Sequence, residues 1–359
     1  MKTGKRRLAA FTVVAATMLL ALVGVVTPAW AEEGSKLPVT GNTVTITSTL
    51  IMNKDAVEPN AKFEYSISPA GTSELTSTSG MPVTPGVLDA VTLPSSSVNF
   101  SAQGLHSVDN TDDTKTITAH LSASLDISKF KAPGIYRYKI TQTPPPLDGL
   151  NVTYKELFLD VYVENGSSGY VVGGCTLSVK AGSGEKAAGF VNKYATYKLT
   201  ITKVVAGNQG DKNKDFDFTV TIKGADGETY KYATVKDGTT TPNEVKAASG
   251  TAIRVSLKNG ESVIFYGLSS EDKFAVTEAD YHSEGYKTSY KIGDDTSSTE
   301  GNSIAEKGIG TSDITVTFTN TKEATVPTDV IRTVVPYAAI VAFAAVMGVV
   351  FFRPRRNRR

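Results

Sequence analysis

Alternation with a period of two is the feature that most restricts what this chain can fold into. Stretches rich in Val, Ile, Thr, Tyr and Phe alternate over Val44 to Leu50, Lys62 to Ile67, Thr116 to Leu125, Ile135 to Thr141 and Leu157 to Glu164, and then over Leu199 to Val205, Phe216 to Ile222, Val263 to Leu268, Phe274 to Glu278 and Ile314 to Phe318. This is the pattern of half-buried strands, and helical periodicity is scarce. Clusters of Gly, Pro, Asn, Asp and Ser separate the stretches, and Asn259-Gly260 suits a two-residue hairpin. An all-β protein of sandwiches follows. Three scattered histidines, His106, His120 and His282, give neither a metal site nor a catalytic triad, and no glycine-rich phosphate loop follows a strand. Asp211, Asn213 and Asp215 begin like a calcium loop but lack its glycine and closing glutamate, so they read as a solvated loop. No metal or cofactor is expected.

A weak internal repeat divides the chain near residue 194. Val44-Thr-Ile-Thr-Ser48 is matched by Leu199-Thr-Ile-Thr-Lys203, Tyr138-Lys-Ile-Thr-Gln142 by Phe274-Ala-Val-Thr-Glu278, and Gly189-Phe-Val-Asn192 by Thr317-Phe-Thr-Asn320. Residues 32–194 and 195–324 are therefore expected to form two domains of ordinary size.

In the second half, alternation gives Lys203 the parity of Leu199 and Ile201, and Asn320 that of Val316 and Phe318. A lysine, a glutamate (Glu278) and an asparagine aimed into one core need a reason. Burial drives Lys203 toward a neutral, nucleophilic amine and Glu278 toward a neutral acid that can polarise the Asn320 amide and shuttle protons while ammonia leaves. The product would be a Lys203–Asn320 isopeptide bond, made once per molecule. The bland alternative is an exposed lysine and glutamate with a turn asparagine.

The near-neutral total of 37 basic against 36 acidic residues conceals three regions: +4 over residues 1–31, −8 over the middle and +5 over residues 329–359. The acidic middle and the lack of a basic stripe argue against nucleic acid. The start combines Lys2, Lys5, Arg6 and Arg7 with an apolar run from Leu8 to Val26 and Ala29-Trp30-Ala31, so a secretory signal cut between Ala31 and Glu32 is expected; the alternative is an N-terminal anchor. A secreted chain with Cys175 alone can form no internal disulfide. At the other end, residues 334–352 are nineteen uncharged residues followed by Arg353-Pro-Arg-Arg-Asn-Arg-Arg359, long enough to span a bilayer with the arginines inside. Immediately before the span stands Val326-Pro327-Thr328-Asp329. Motif, span and basic tail together resemble the sortase signal of Gram-positive surface proteins, with Asp329 in place of the usual glycine. A sortase cysteine would then attack the Thr328 carbonyl and pass the acyl group to an amine. The alternative is a single-span membrane protein with a juxtamembrane linker.

Leu199 to Gly207 (LTITKVVAG), Lys214 to Val220 (KDFDFTV), Val276 to Tyr286 (VTEADYHSEGY) and Ile314 to Val330 (ITVTFTNTKEATVPTDV) carry a close resemblance to the shaft pilins of the streptococcal type. The resemblance implies two tandem immunoglobulin-like sandwich domains of the CnaB type. It also places the family's linking lysine, assisting glutamate and acceptor asparagine on Lys203, Glu278 and Asn320. In the first half, Ser48 and Gln142 replace lysine and glutamate while Asn192 stays, so no isopeptide bond of the usual kind is expected there. Lys54, in a polar stretch, or an ester at Ser48 or Thr47 would be a substitute. The family's polymerising lysine points to Lys186 in Gly182-Ser-Gly-Glu-Lys186, read as an exposed flexible loop, with Lys180 and Lys193 close by. The implied protein is a structural subunit of a covalent pilus on the cell wall. Its partners would be pilin-polymerising and housekeeping sortases, further copies of itself, minor pilins and peptidoglycan. The alternative is a wall-anchored adhesin or minor pilin that binds a host ligand. A surface hydrolase is disfavoured by the absence of a nucleophile elbow.

Overall fold

The computed structural model describes residues 36–76, 81–183, 185–243, 245–324, 337, 340–345 and 347. The longer strands are numbered in chain order. The first half contains β1 (Thr43–Asn53), β2 (Lys62–Pro69), β3 (Thr114–Leu125), β4 (Gly134–Thr143), β5 (Glu156–Gly166), β6 (Gly169–Ser178) and β7 (Gly189–Tyr194). The second contains β8 (Tyr197–Ala206), β9 (Phe216–Lys223), β10 (Thr229–Lys236), β11 (Ala252–Leu257), β12 (Ser262–Leu268), β13 (Lys273–Glu278), β14 (Lys287–Ile292), β15 (Ser303–Gly308) and β16 (Ile314–Thr321). Each of the ten stretches read from alternation lies inside one of these strands.

The first half packs a sheet of order β6-β5-β4-β2 against one of order β7-β1-β3. The second packs β11-β9-β13-β15 against β10-β12-β8-β16-β14. β1 shows why the chain takes this form: Val44, Ile46, Ser48, Leu50 and Met52 are buried while the intervening threonines sit half-exposed on the outer face, a two-residue period that only a strand can serve. One apolar cluster runs from Leu37 to Tyr194 and a second from Leu199 to Phe318. In both halves the first and last long strands lie side by side and parallel, β1 with β7 and β8 with β16.

Asn259-Gly260 does not close a hairpin. β11 and β12 belong to different sheets, and the turn folds over β8 instead. Gly260 N–H donates to the Lys203 carbonyl at 2.8 Å, Lys203 N–H to the Glu261 carbonyl at 3.0 Å, and Val205 N–H to Asn259 Oδ1 at 2.8 Å. Gly260 has φ +82°, a conformation open to glycine at no steric penalty.

The halves touch through two loops of the first. Ala56 is fully buried, and a side chain on Gly267 (φ +84°) would meet the Ala56 Cβ at 3.0 Å. Ser270 donates from its hydroxyl (2.7 Å) and its backbone N–H (3.1 Å) to Asp148 Oδ2.

Ala31, Glu32, Val326, Pro327, Thr328 and Asp329 lie outside the described residues, as does most of 334–352. Among the described residues, no helix is long and apolar enough to cross a membrane.

Candidate functional site: a buried amine, acid and carboxamide

Lys203, Glu278 and Asn320 are fully buried in the second core. Parallel register sets Lys203 against Phe318 and Val205 against Asn320, so the asparagine stands two residues beyond the lysine on the neighbouring strand, on the same inner face. Glu278 reaches them from the opposite sheet, where it pairs with Phe218 of β9. Its own backbone is fixed reciprocally by Asn302: Glu278 N–H donates to the Asn302 carbonyl and Asn302 Nδ2 to the Glu278 carbonyl, both at 2.8 Å. The turn at Asn259-Gly260 fixes the backbone of Lys203, so the lysine and the glutamate both hang from a hydrogen-bonded main chain.

Lys203 Nζ lies 3.0 Å from Glu278 Oε1 and 4.3 Å from the centroid of Phe216. Phe216 in turn packs edge-on against Tyr281 and Tyr286, and Phe218 against Phe318, so aromatic rings enclose the amine. Lys203 Nζ, both carboxyl oxygens of Glu278 and both amide atoms of Asn320 make no hydrogen bond of acceptable geometry among the described residues. Apart from the 3.0 Å approach of Lys203 Nζ to Glu278 Oε1, these buried atoms lack partners, a costly arrangement at rest, at roughly 1–3 kcal/mol for each unsatisfied group, and a covalent reaction would remove that cost. Burial pushes the Lys203 ammonium down to about 8, against the opposing charge of Glu278. Burial likewise raises the Glu278 carboxyl, against the pull of Lys203 and Asn320. Moving one proton from Lys203 to Glu278 satisfies both tendencies without changing the net charge of the pair. It leaves a nucleophilic amine beside a carboxyl able to donate to the amide oxygen.

The first half repeats the frame with different chemistry. Ser48 lies opposite Phe190 and Leu50 opposite Asn192, the same stations as Lys203 and Asn320, while Gln142 pairs with Tyr65 where Glu278 pairs with Phe218. Ser48 Oγ and Tyr65 Oη are 2.7 Å apart, Tyr65 Oη donates to Gln142 Oε1 at 2.9 Å, and Gln142 Nε2 donates to Asn192 Oδ1 at 2.8 Å. Asn192 Nδ2 closes the chain on Gln142 Oε1 (3.1 Å) and the Thr49 carbonyl (3.3 Å). All four side chains are buried, neutral and partnered. Lys54 is paired with exposed Asp113 and takes no part. An ester at Ser48 would need a base. Its partner is instead a phenol that burial pushes up to about 12.

Tyr65 was not foreseen from sequence. The signal was available in Phe63-Glu-Tyr65 against Phe216-Asp-Phe218, where a hydroxyl is added at the position facing the missing lysine. The buried pair Arg137–Asp160 was missed as well. It is bidentate at 2.7 and 2.9 Å, and Arg137 Nη1 also donates to the carbonyls of Glu74 and Thr76.

Lys186 is not on an exposed flexible loop. It is half-buried, forms a β-bridge with Ser178, and its Nζ donates to Thr176 Oγ1 at 3.2 Å.

Fold and site define a tandem β-sandwich protein with an amine, an acid and a carboxamide sealed together in its second core. Residues 197–322 match a family model described as a domain of unknown function (DUF7601). Over 339 residues the chain is 30% identical to a pilin of Streptococcus pyogenes serotype M1, covering 89% of this chain and 92% of that one. The crystal structure of the major pilin from Streptococcus pyogenes is similar with a TM-score of 0.52 at 27% identity, covering 80% of this chain and 100% of the other. A stretch of 135 residues is 34% identical to the pilus tip adhesin Cpa of Streptococcus pyogenes, covering 37% of this chain but 18% of the adhesin. The chain belongs to the pilin family.

Proposed function

We propose that this chain is the repeating shaft subunit of a cell-surface pilus. Sortase joins it through Thr328 to Lys186 of the next copy, and a Lys203–Asn320 isopeptide bond hardens its second domain. The observation that carries the reading is the buried, hydrogen-bond-deficient set of Lys203, Glu278 and Asn320. In the reaction, neutral Lys203 Nζ adds to the Asn320 Cγ while protonated Glu278 donates to its oxygen. The tetrahedral centre then collapses with loss of ammonia, Glu278 carrying the proton from the attacking nitrogen to the leaving one. One amide replaces another, so no oxidant, metal or cofactor enters the balance. Units spanning 32–194 and 195–324, a signal removed before Glu32 and a tail released after Thr328 complete the scheme. Polymerising and housekeeping sortases, minor pilins and peptidoglycan are the partners. Alignment over 92% of a pilin but 18% of a tip adhesin supports the shaft role over the adhesive one.

Two measurements test this. Wall extracts blotted with antibody to the subunit should give a ladder of covalent polymer from wild type and a single species from Lys186→Ala. Intact mass of the secreted chain should fall short of the sequence mass by one ammonia, with the deficit in a proteolytic fragment holding both Lys203 and Asn320. A ladder surviving Lys186→Ala removes that lysine, and a full mass removes the bond.

A further inference from the structure

Lys180 and Lys193, which flank Lys186 in the sequence, are exposed, as is Lys36, whereas Lys186 is half-buried. Exposure therefore does not single out Lys186 as an acceptor, and what distinguishes it is how it is held. Its segment is clipped to the edge of β6 that faces away from β5. Val179 N–H donates to the Glu185 carbonyl at 3.3 Å and Ala187 N–H to the Leu177 carbonyl at 2.9 Å, with Lys186 bridged to Ser178 between them. Lys36 and Leu37 take the next stretch of the same edge, opposite Thr176 and Cys175. Cys175 and Leu177 belong to the first core, so Thr176 and Ser178 point to the outer face of the sheet. Thr176 is buried there all the same, and so are Asp160 and Arg137, which continue its row across β5 and β4. The bidentate Arg137–Asp160 pair lies under residues 74–76, whose carbonyls at Glu74 and Thr76 accept from Arg137 Nη1. Thr176 thus forms the rim of a packed, hydrogen-bonded floor, at the point where Lys186 crosses it.

We propose that Thr176 is the positioning residue that makes Lys186, and not Lys36, Lys180 or Lys193, the acceptor of the Thr328 acyl group; this rests on the sortase-joined reading above. Lys186 Nζ donates to Thr176 Oγ1 at 3.2 Å. In the transfer, the Thr328 carbonyl carbon, held as a thioester on the sortase cysteine, gains a bond to Nζ and loses its bond to sulfur. One amine proton ends on the departing thiolate. A neutral amine that keeps one N–H on Thr176 still has its lone pair free, and with the floor behind it the approach left open is from solvent. Lys36 pairs directly opposite Thr176, yet its side chain leans over Gly174, where its Cδ lies 3.2 Å from the place of an added Cβ. The exposed lysines must surrender side-chain freedom on reacting, which Lys186 has in part already lost on folding.

The full-length chain tests this in cells that lack the wild-type subunit, with wall polymer digested and the lysine carrying the Thr328 carbonyl mapped by mass spectrometry. Wild type should carry it on Lys186. In Thr176→Val the polymer should fall about tenfold, the scale of one lost hydrogen bond, and Thr176→Ser, which restores the hydroxyl, should recover it. An epitope-tagged Thr176→Val chain expressed together with wild type should enter the ladder again, because it still donates its own Thr328 to the Lys186 of a wild-type copy. Exchanging Glu185→Lys with Lys186→Glu leaves the floor untouched, moves the amine to the side facing away from Thr176, and should give no ladder. A wild-type yield from Thr176→Val, a loss that Thr176→Ser does not restore, or a ladder built through position 185 overturns the proposal. So does a tagged Thr176→Val chain that stays out of the ladder beside wild type, since its defect is then one of folding. Wild-type polymer linked at a lysine other than Lys186 removes the acceptor reading beneath it.

Discussion

Ser48 stands in the first sandwich where Lys203 stands in the second, each directly opposite a phenylalanine of the parallel last strand, with an asparagine two residues further on. The two sites thus share one backbone frame and differ in whether their polar atoms are satisfied. Around Lys203 five polar atoms lack hydrogen bonds. Around Ser48 the hydroxyl of Tyr65 reaches toward the place an ammonium would fill and links Ser48 to Gln142.

Because the frame is intact, restoring the chemistry should restore the bond. The triple variant Ser48→Lys, Tyr65→Phe, Gln142→Glu reproduces Lys203, Phe218 and Glu278 in the first half and leaves Asn192 as acceptor. Its intact mass should fall by one further ammonia relative to its own sequence mass. The same variant without Gln142→Glu should fold and keep that ammonia, since no group then moves the protons. A folded triple variant with unchanged ammonia content would show that register alone does not position the reaction.

Tyr65→Phe by itself strands the Ser48 hydroxyl in the core, while Gln142 keeps its bonds to Asn192. The first half should lose about 1–3 kcal/mol, the penalty for an orphaned buried polar group, with no change in mass. Denaturant melting followed by first-half probes measures this. Adding Ser48→Ala should recover part of the loss, because both partners are then removed together.

The burial of Lys203, Glu278 and Asn320 in one core was legible in the sequence because two-residue alternation is strict in these strands: each falls on the apolar parity of its stretch, and a polar residue at an apolar position is conspicuous. Tyr65 was harder to read, because tyrosine for phenylalanine keeps parity and aromatic bulk, and the meaning of its added hydroxyl depends on Ser48 across the core and Gln142 on the neighbouring strand. Asn259-Gly260 matched a hairpin by local turn chemistry, but sheet membership is a long-range property, and the turn serves β8 instead. The half-buried setting of Lys186 escaped for a similar reason. Its glycine- and serine-rich neighbourhood reads as a free loop, while the bridge to Ser178 and the bond to Thr176 depend on packing.

Contact between the halves passes Gly267, whose φ of +84° strains any side chain and whose added Cβ would meet the Ala56 Cβ at a tight 3.0 Å. Gly267→Ala should cost about 1–2 kcal/mol in backbone strain alone and shift Ala56 slightly from β12. Hydrogen exchange should rise at residues 54–58 and at 268–270, while the Lys203–Asn320 bond still forms, since Gly267 faces the start of β8 at Tyr197 and Lys198 and not the stretch that holds Lys203. Failure of the bond in this variant would mean that the first half helps to assemble the second core.

Removing the acid separates the covalent from the electrostatic contribution. Glu278→Gln should keep its ammonia and lose stability on the order of 5 kcal/mol, as estimated from the entropy of closing a loop of about 100 residues. What remains is a buried Lys203 amine without a counter-charge. In the intact set burial already holds that amine down to about 8 against an ordinary value of 10.5, and the Glu278 charge was opposing the shift, so in the variant it falls lower still. The folded value then lies below the unfolded one, so the unfolded chain binds the proton more tightly. Stability is complete above pH 10.5 and is lost as pH falls toward 8 and below, by roughly 3 kcal/mol over that window at about 1.4 kcal/mol per unit. Melting curves of Glu278→Gln recorded between pH 7 and 10.5 should therefore rise with pH, and those of the double variant Lys203→Met, Glu278→Gln should not share that slope. Equal slopes in the two would show that Lys203 is already neutral or hydrated in the uncross-linked core.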